Sequence, residues 1–230
     1  MNIQILHLID GAKKAKGLTV IIDVFRAFTL ECYLFHQGAE RIIPIGNIEK
    51  AYQLKNDNPN FILIGERNER IPNGFDFGNS PTHLLNIDFS GKTIIHTTSA
   101  GTQGLVNAVS ASQLITGSFV NADAIVRYIK QMNPKDITLV CMGYSGLYPT
   151  EEDTFCAEYI RNSVLELPTD LQKMIDIIRF TSGKRLFEPT NQEHSPETDF
   201  FLCTEIGKFD FVIKADIKNE GAIELKKIFC

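Results

Sequence analysis

The sequence predicts an α/β fold, a three-layer α/β/α sandwich built on a mostly parallel, mixed sheet. Short apolar runs rich in β-branched residues recur along the chain up to residue 141, and amphipathic stretches of helical length separate them. Continuous apolar strands are typical of parallel sheets buried on both faces, and each parallel crossover needs a connecting segment, usually a helix. The pattern therefore indicates strands alternating with helices that cover both faces of one sheet.

The alternation begins with an apolar run at residues 18–22, which predicts a buried strand, and continues with a helix over residues 27–37. Further strands are predicted at residues 41–45, 61–64, 93–96, 113–116 and 137–141. Further helices are predicted at residues 48–55, 102–109, 121–132, 152–164 and 169–180. The short length of the apolar runs favours strands over buried helices.

The last third of the chain, about residues 165–230, follows this pattern poorly. Residues 183–199 are polar and show neither the helix nor the strand period, which predicts a partly irregular segment. Residues 209–214 predict one late strand, antiparallel and at an edge of the sheet. Because no internal repeat or linker interrupts the sequence, we expect one domain over residues 1–230.

Composition argues against several classes of protein. The net charge is −5, with 28 acidic residues against 23 lysines and arginines, which argues against a nucleic-acid-binding protein. No apolar run reaches the roughly 18 to 20 residues of a membrane span, and residues 1–10 lack the features of a signal peptide, so we expect a cytoplasmic protein. No C-x-x-C spacing supports a disulfide framework or zinc site. The five cysteines are Cys32, Cys141, Cys156, Cys203 and Cys230.

Polar side chains collect where predicted strands end. They follow the strands at residues 18–22, 61–64 and 93–96, or lie in the loop at residues 74–81. In open α/β sheets, ligands bind beyond the carboxyl ends of the strands, so we expect these side chains to share one cleft. The residues are Asp23, Arg26, Glu66, Arg67, Asp76, Asn79, Ser80, Thr98, Ser99, Gly101 and Thr102.

The acids among them fit a divalent cation. Asp23, Glu66 and Asp76 offer the hard carboxylate oxygens that Mg²⁺ prefers, and Mg²⁺ needs only one or two of them because it keeps several waters. Glu152 and Asp153, at a predicted helix start, are further candidate ligands. The acids therefore predict a Mg²⁺ site with a choice of ligands.

The other residues fit a phosphate-type anion beside that cation. Arg26 and Arg67 can clamp an anion bidentately. Residues 98–102 form a strand-to-helix turn whose hydroxyl and backbone N–H groups favour an anion, and Asn79 and Ser80 can add contacts. We take Asp23, Glu66 and the two arginines as the candidate catalytic residues, and the inventory indicates phosphoryl transfer.

Several of these residues also have a structural interpretation. Ser80 followed by Pro81 is typical of a helix start, and residues 150–153 match a capping box. His96 ends an apolar strand and fits a core histidine, and Cys156 fits a small buried hydrophobic residue. Both interpretations stay open at this point.

The ordered motifs resemble those of the 2-phosphosulfolactate phosphatases. Residues 22–27 read IDVFRA and resemble D-V-L-R-A, while residues 65–67 (GER) and 74–81 (GFDFGNSP) resemble G-E-R … G-F-D-x-G-N-S-P. Residues 97–102 (TTSAGT) and 152–157 (EDTFCA) are similar to T-T-x-N-G-T and E-D-x-x-C-A. The resemblance implies a small phosphorylated, sulfonated acid as substrate, and Mg²⁺-dependent hydrolysis of 2-phosphosulfolactate to sulfolactate and phosphate. In some organisms sulfolactate lies on a route to coenzyme M.

The sequence departs from the family pattern near the expected anion site. Ala100 replaces an asparagine, Gln103 replaces an arginine, and residues 68–70 replace a loop start rich in lysine and glycine. The loss of an arginine is expected to weaken selection of a sulfonate more than the metal chemistry. A phosphatase for another small phosphorylated 2-hydroxy acid and a non-catalytic anion-binding protein are therefore alternatives. The nucleophile, water or Asp23, and a homodimeric state stay open.

Overall fold

A computed structural model describes residues 1–218 and 222–229, and within these residues nine strands form one mixed sheet. The strands are β1 (Asn2–His7), β2 (Gly17–Ile22), β3 (Arg41–Pro44), β4 (Ile62–Gly65), β5 (Thr93–Thr97), β6 (Ala111–Gly117), β7 (Asp136–Cys141), β8 (Phe211–Ile217) and β9 (Ile223–Phe229). The helices are α1 (Leu8–Lys14), α2 (Ala27–His36), α3 (Ile48–Asp57), α4 (Gly101–Asn107), α5 (Ala122–Met132), α6 (Glu151–Val164), α7 (Leu171–Phe180) and α8 (Thr198–Thr204). Short 3₁₀ helices cover Pro81–Leu84, Phe119–Asn121, Ser182–Phe187 and Pro189–Asn191.

The sheet joins two parallel groups of strands through an antiparallel hairpin. Its order is β1-β7-β2-β6-β8-β9-β3-β5-β4. Strands β1, β7, β2 and β6 are parallel to one another, and so are β3, β5 and β4. The hairpin of β8 and β9 pairs antiparallel with β6 on one side and with β3 on the other. The sheet is therefore mixed, as the sequence predicts.

The two apolar faces of the sheet explain why helices cover both. In β2, Ile21 packs into a cluster that includes residues of α1, α2 and α4, whereas Val20 and Ile22 pack against α5 and α6. Ala51 of α3 packs with Ile95 of β5 in a third cluster. Because alternate residues of a strand point to opposite faces, a continuous apolar run needs cover on both. This arrangement confirms the α/β sandwich.

The C-terminal third is more regular than the sequence predicts, and one prediction there is wrong. The late strand, β8, lies inside the sheet instead of at an edge. Phe211, Val212 and Ile213 are all buried, which is the pattern of a strand covered on both faces. Helix α8 falls within the region expected to be irregular, and β9 was not predicted because lysines interrupt its apolar residues. Strand β1 and helix α1 were also not predicted.

Two expectations concern the whole chain. Cys32, Cys141, Cys156 and Cys203 are buried and free of disulfides, whereas Cys230 lies outside the described residues. Cys156 therefore has the expected environment of a small buried hydrophobic residue. Within residues 1–218 and 222–229, no helix combines the length and the apolar composition that a bilayer crossing requires.

Candidate active site

A small cleft lies beyond the carboxyl ends of β2, β4, β5 and β7. Four loops that follow these strands form most of its wall, because parallel neighbours deliver their C-terminal loops to the same edge. Two further residues come from the loop before Pro81–Leu84 and from the 3₁₀ helix Ser182–Phe187. The lining residues are Asp23, Phe25, Arg26, Glu66, Glu69, Asn79, Thr98, Ser99, Ala100, Gly143, Tyr144, Ser145 and Arg185.

Asp23 lines this cleft and is only 5% exposed. Its Oδ1 accepts a hydrogen bond from the backbone N–H of Ala27 at 3.2 Å. A Cβ atom at Gly101 would lie 2.8 Å from Oδ2, so the glycine is what allows α4 to begin against the carboxylate. Burial, followed by the charges of Glu66 and Glu152, raises the pKa of Asp23 to about 7. Asp23 is therefore an acid held where its own charge is disfavoured.

Glu66 connects two loops of the cleft, its own loop after β4 and the turn after β5. Its Oε1 accepts from the backbone N–H of Ser99 at 2.7 Å, and its Oε2 accepts from the backbone N–H of Glu69 at 2.9 Å. The hydroxyl of Ser99 also donates to Oε2, at 3.3 Å. These bonds fix the carboxylate beside the turn after β5, as expected for a ligand or binding residue that must be oriented in advance.

Arg26 is held by a buried acid that the sequence analysis did not identify. Its Nη1 donates to Asp199 Oδ2 at 2.9 Å, and both side chains are nearly fully buried. Asp199 Oδ1 accepts from the Ser80 hydroxyl at 2.7 Å and from the backbone N–H of Thr82 at 3.1 Å. Ser80 therefore does not cap a helix with its side chain and does not line the cleft; it orients the partner of Arg26.

Arg185 is the second arginine of the cleft, and it also comes from the segment without a sequence pattern. Its Nε donates to Glu69 Oε1 at 2.6 Å, and its guanidinium lies 5.6 Å from the ring centre of Phe25 and 5.2 Å from that of Tyr144. Glu69 and the preceding Asn68 both have positive φ, 63° and 53°, which non-glycine residues keep only where tertiary contacts hold them. Arg185 and Glu66 supply such contacts.

Glu152 and Asp153 lie behind the cleft wall and not on it. Asp153 accepts from the backbone N–H groups of Val24 at 2.8 Å and Gly143 at 2.7 Å, so it fastens two cleft loops instead of closing the predicted capping box. Glu152 Oε2 is buried without a hydrogen bond of normal geometry to any described residue. Burial raises the pKa of both carboxyls, and Glu152 raises that of Asp153 further.

Two predicted site residues, one acid and one arginine, lie outside the cleft lining and bind other parts of the protein. Asp76 lies outside the lining, where its Oδ2 accepts from Lys55 Nζ at 2.9 Å and from the backbone N–H of Leu63 at 2.8 Å. Arg67 donates from Nη2 to Thr97 Oγ1 at 2.7 Å and from Nη1 to the carbonyl of Glu66, and it too is absent from the lining. Both residues are committed to holding β4 and its following loop in place.

Only some residues of the turn after β5 line the cleft. Thr98 and Ser99 line the cleft, whereas Thr102 is buried and its hydroxyl donates to the carbonyl of Thr98 at 2.9 Å. Ala100, one departure from the family pattern, also lines the cleft. Gln103, another departure, donates to the carbonyl of Gly46 at 2.8 Å and lies outside the lining. Position 100 therefore lies on the cleft wall, whereas the side chain at position 103 binds outside it.

The charges of the cleft fit a divalent cation. Both lining arginines already have a carboxylate partner, whereas Asp23 and Glu66 form no ion pair with any described residue. Asp23 Oδ2 also makes no hydrogen bond within the described part of the chain, so it is free to bind a ligand. Residues 1–218 and 222–229 contain no group of three or more His, Cys, Asp or Glu side chains arranged to hold a metal. Mg²⁺ needs no such group, because two carboxylates and several waters suffice.

Comparisons with known proteins point to one family. A profile of the family described as 2-phosphosulpholactate phosphatase matches residues 3–217. A probable 2-phosphosulfolactate phosphatase of Caldanaerobacter subterraneus is 34% identical over 228 residues, which cover 91% of each chain. Proteins of the same description are 30% identical in Clostridium tetani, over 94% of each chain, and 29% identical in Bacillus subtilis, over 90% of this chain and 89% of the relative.

Proposed function

The chain belongs to the 2-phosphosulfolactate phosphatase family, and from this premise we propose that it is a Mg²⁺-dependent phosphatase that hydrolyses 2-phosphosulfolactate to sulfolactate and phosphate. The observation that carries the proposal is the pair of carboxylates without cationic partners, Asp23 and Glu66, facing a cleft that also holds two arginines. An anionic phosphate ester would be repelled by these acids unless a cation lay between them. The same cation would relieve the cost of the buried Asp23 charge.

Some residues of the cleft would bind the cation and others the anionic substrate. Asp23 and Glu66 would hold Mg²⁺, which when bound supplies a positive charge to a phosphoryl oxygen and neutralises the charge that develops during transfer. Arg26 would bind phosphoryl oxygens with the N–H groups that Asp199 leaves free, since a guanidinium has five donors and only Nη1 is engaged. Glu152 stays a reserve ligand behind Asp23. Asp76 is left out because it lies outside the cleft lining and pairs with Lys55, and Asp153 because it lies outside the lining and both of its oxygens accept backbone N–H groups.

Hydrolysis requires a bond from an attacking oxygen to phosphorus and the loss of the bond to the ester oxygen, which leaves as the hydroxyl group of the 2-hydroxy acid after taking up a proton. With water as the attacking group, the products are phosphate and the hydroxy acid directly. With Asp23 as the attacking group, a second attack by water on an aspartyl phosphate gives the same products. The proximity of Glu66, whose charge raises the pKa of Asp23, supports Asp23 as a metal ligand more directly than as a nucleophile, because two neighbouring carboxylates can share one cation.

Removal of the metal is expected to stop the reaction. After dialysis against a chelator, we expect phosphate release from 2-phosphosulfolactate to fall by about 100-fold or more, and Mg²⁺ to restore it, because the acids would then repel the substrate. The same titration followed by thermal unfolding should show a rise in midpoint, since a cation that binds only the folded state stabilises it. Full activity in the presence of excess chelator would contradict the metal requirement.

A second candidate function, hydrolysis of another small phosphorylated 2-hydroxy acid, is favoured by Ala100. This alanine lines the cleft where the family pattern has an asparagine, so the cleft wall lacks one polar side chain that could contact a substrate. Comparison of kcat/KM for 2-phosphosulfolactate and phospholactate separates the candidates. A preference above about tenfold for the sulfonate, roughly one good polar contact, supports the first function. A smaller preference supports the second.

A further inference from the structure

A chain of three polar side chains leads from the hydrophobic core to the wall of the cleft. His96, the last but one residue of β5, is fully buried, and its Nδ1 lies 2.9 Å from Oε1 of Glu31 on α2. Its Nε2 lies 3.0 Å from Oδ1 of Asn79, which lines the cleft. Glu31 is also fully buried, and Asn79 is 6% exposed. Burial of polar groups this deep in the protein is costly unless they are hydrogen-bonded, and in this row of three side chains each one has a hydrogen-bond partner.

The contact between His96 and the amide oxygen of Asn79 determines where the amide nitrogen of Asn79 points. An amide oxygen only accepts hydrogen bonds, so the contact with Oδ1 is favourable only if Nε2 of His96 carries a hydrogen. The amide nitrogen of Asn79 then points away from His96, and it makes no hydrogen bond with any described residue. Its two N–H groups are therefore available on the cleft side.

Glu31 accounts for the hydrogen on Nε2. If Glu31 is protonated, it donates to Nδ1, and the neutral imidazole must carry its hydrogen on Nε2. If the pair is charged, the imidazolium carries hydrogens on both nitrogens. Only a neutral imidazole with its hydrogen on Nδ1 would place two acceptors, Nε2 and the Asn79 oxygen, 3.0 Å apart. That tautomer donates from Nδ1 and therefore needs Glu31 as a carboxylate. Burial raises the pKa of Glu31 and so disfavours the carboxylate.

We propose that Glu31 and His96 are positioning residues that hold Asn79 with its amide N–H groups toward the cleft, where they donate to an oxygen of the substrate's phosphoryl group. This role rests on the proposed function, and it adds to that function a hydrogen-bond donor, the Asn79 amide, whose orientation is fixed before the substrate binds. A donor suits an anion and not a cation, so Asn79 belongs to the substrate side of the site and not to the Mg²⁺ side. The amide also adds no charge, unlike the two arginines, whose charges Asp199 and Glu69 already balance.

Variants at two positions test the proposal through kcat/KM for phosphate release. Asn79→Ala removes the donor, and we expect a loss of about 10- to 150-fold, the value of a hydrogen bond to a charged group. Asn79→Asp should lose at least as much, because it presents a carboxylate to the anion. His96→Met should approach the loss of Asn79→Ala, whereas His96→Gln, whose amide N–H can replace Nε2–H, should stay much closer to the unaltered protein.

A double-mutant cycle separates positioning from a general loss of structure. If His96 acts through Asn79, His96→Met should cost activity in the unaltered protein and almost none in Asn79→Ala, whereas a general loss of structure would cost activity in both. An equal loss of activity in both backgrounds, or no loss in either, overturns the proposal. Absence of phosphate release by the unaltered protein contradicts the proposed function instead, and binding of inorganic phosphate in the presence of Mg²⁺ then replaces turnover as the readout.

A measurement on the unaltered protein covers the case in which a His96 variant does not fold. The chain contains five histidines, so ¹⁵N spectra of protein labelled at histidine are simple enough to assign by comparison with the variants that fold. We expect one histidine with a protonated Nε2 that exchanges slowly, as its burial requires. A His96 imidazole with a bare Nε2 would overturn the proposal, because Asn79 would then turn its N–H groups toward the core.

Discussion

Replacement of Asp23 by asparagine is expected to abolish phosphate release while leaving the fold at least as stable as before. The substitution removes the carboxylate that would hold Mg²⁺ in the cleft, so we expect kcat to fall by about 10²- to 10³-fold or more. The same carboxylate is buried beside Glu66 and Glu152, and these effects raise its pKa. Above that pKa its charge disfavours the folded state, and a neutral amide removes the penalty.

Stability gives this variant a second readout. Without metal, we expect the thermal midpoint of Asp23→Asn to rise by about 2–4 °C for each kcal/mol of relieved charge repulsion. Addition of Mg²⁺ should raise the midpoint of the unaltered protein but not that of the variant, because only the former binds the ion at this position. Activity and stability would thus change in opposite directions, which a residue of purely structural importance cannot produce.

Asp76 offers a matched control, since it lies in the most specific motif but outside the cleft. Its carboxylate is partly exposed and binds Lys55 and the backbone of Leu63. Asp76→Asn should retain activity within about twofold and lose roughly 0.2–1 kcal/mol of stability, the usual value of an exposed ion pair. An Asp23→Asn protein that releases phosphate at the unaltered rate would contradict the proposed site and support a non-catalytic function for the acids.

The strand–helix order up to residue 141 could be predicted because it depends on local information. A continuous apolar run as short as the one at residues 18–22 favours a strand buried on both faces over a buried helix, and β2 has that environment. The position of β8 could not be predicted in the same way. Its apolar residues indicate a strand, but whether a strand lies at an edge depends on β6 and β9, which pair with it from distant parts of the chain.

The residues of the site likewise separate into those that local sequence places and those that depend on tertiary contacts. Asp23 and Glu66 follow strands directly, so the end of the strand fixes where they lie. A motif does not fix the direction of a side chain within a loop, which is why Asp76 and Arg67 could be named but not placed. Arg185 had no signal, because it lies in a polar stretch and reaches the cleft through tertiary contacts. One signal for Asp199 was present: it is the only acid in the otherwise largely apolar helix Thr198–Thr204, an arrangement that suggests a buried partner.

Removal of that acid is expected to have the largest effect on stability. In Asp199→Ala, the guanidinium of Arg26 would stay buried without its partner, and the hydroxyl of Ser80 would lose its acceptor. Loss of one partner of a buried ion pair costs about 3–5 kcal/mol, which urea unfolding can measure directly. As a control, Glu166→Ala breaks an exposed pair with Lys130 and should cost about 1 kcal/mol or less.

A double variant shows whether the pair serves the fold or the reaction. Replacement of both Arg26 and Asp199 by apolar residues, as in Arg26→Met with Asp199→Leu, removes the unpaired charge and should recover most of the lost stability, since apolar side chains often substitute well for a buried ion pair. Activity should not recover, because the arginine that would bind phosphoryl oxygens is gone. If the double variant regained both stability and phosphate release, Arg26 would have no role in binding the substrate. If Asp199→Ala alone kept full stability, the buried pair would not be the interaction that holds residues 23–26 against the C-terminal segment.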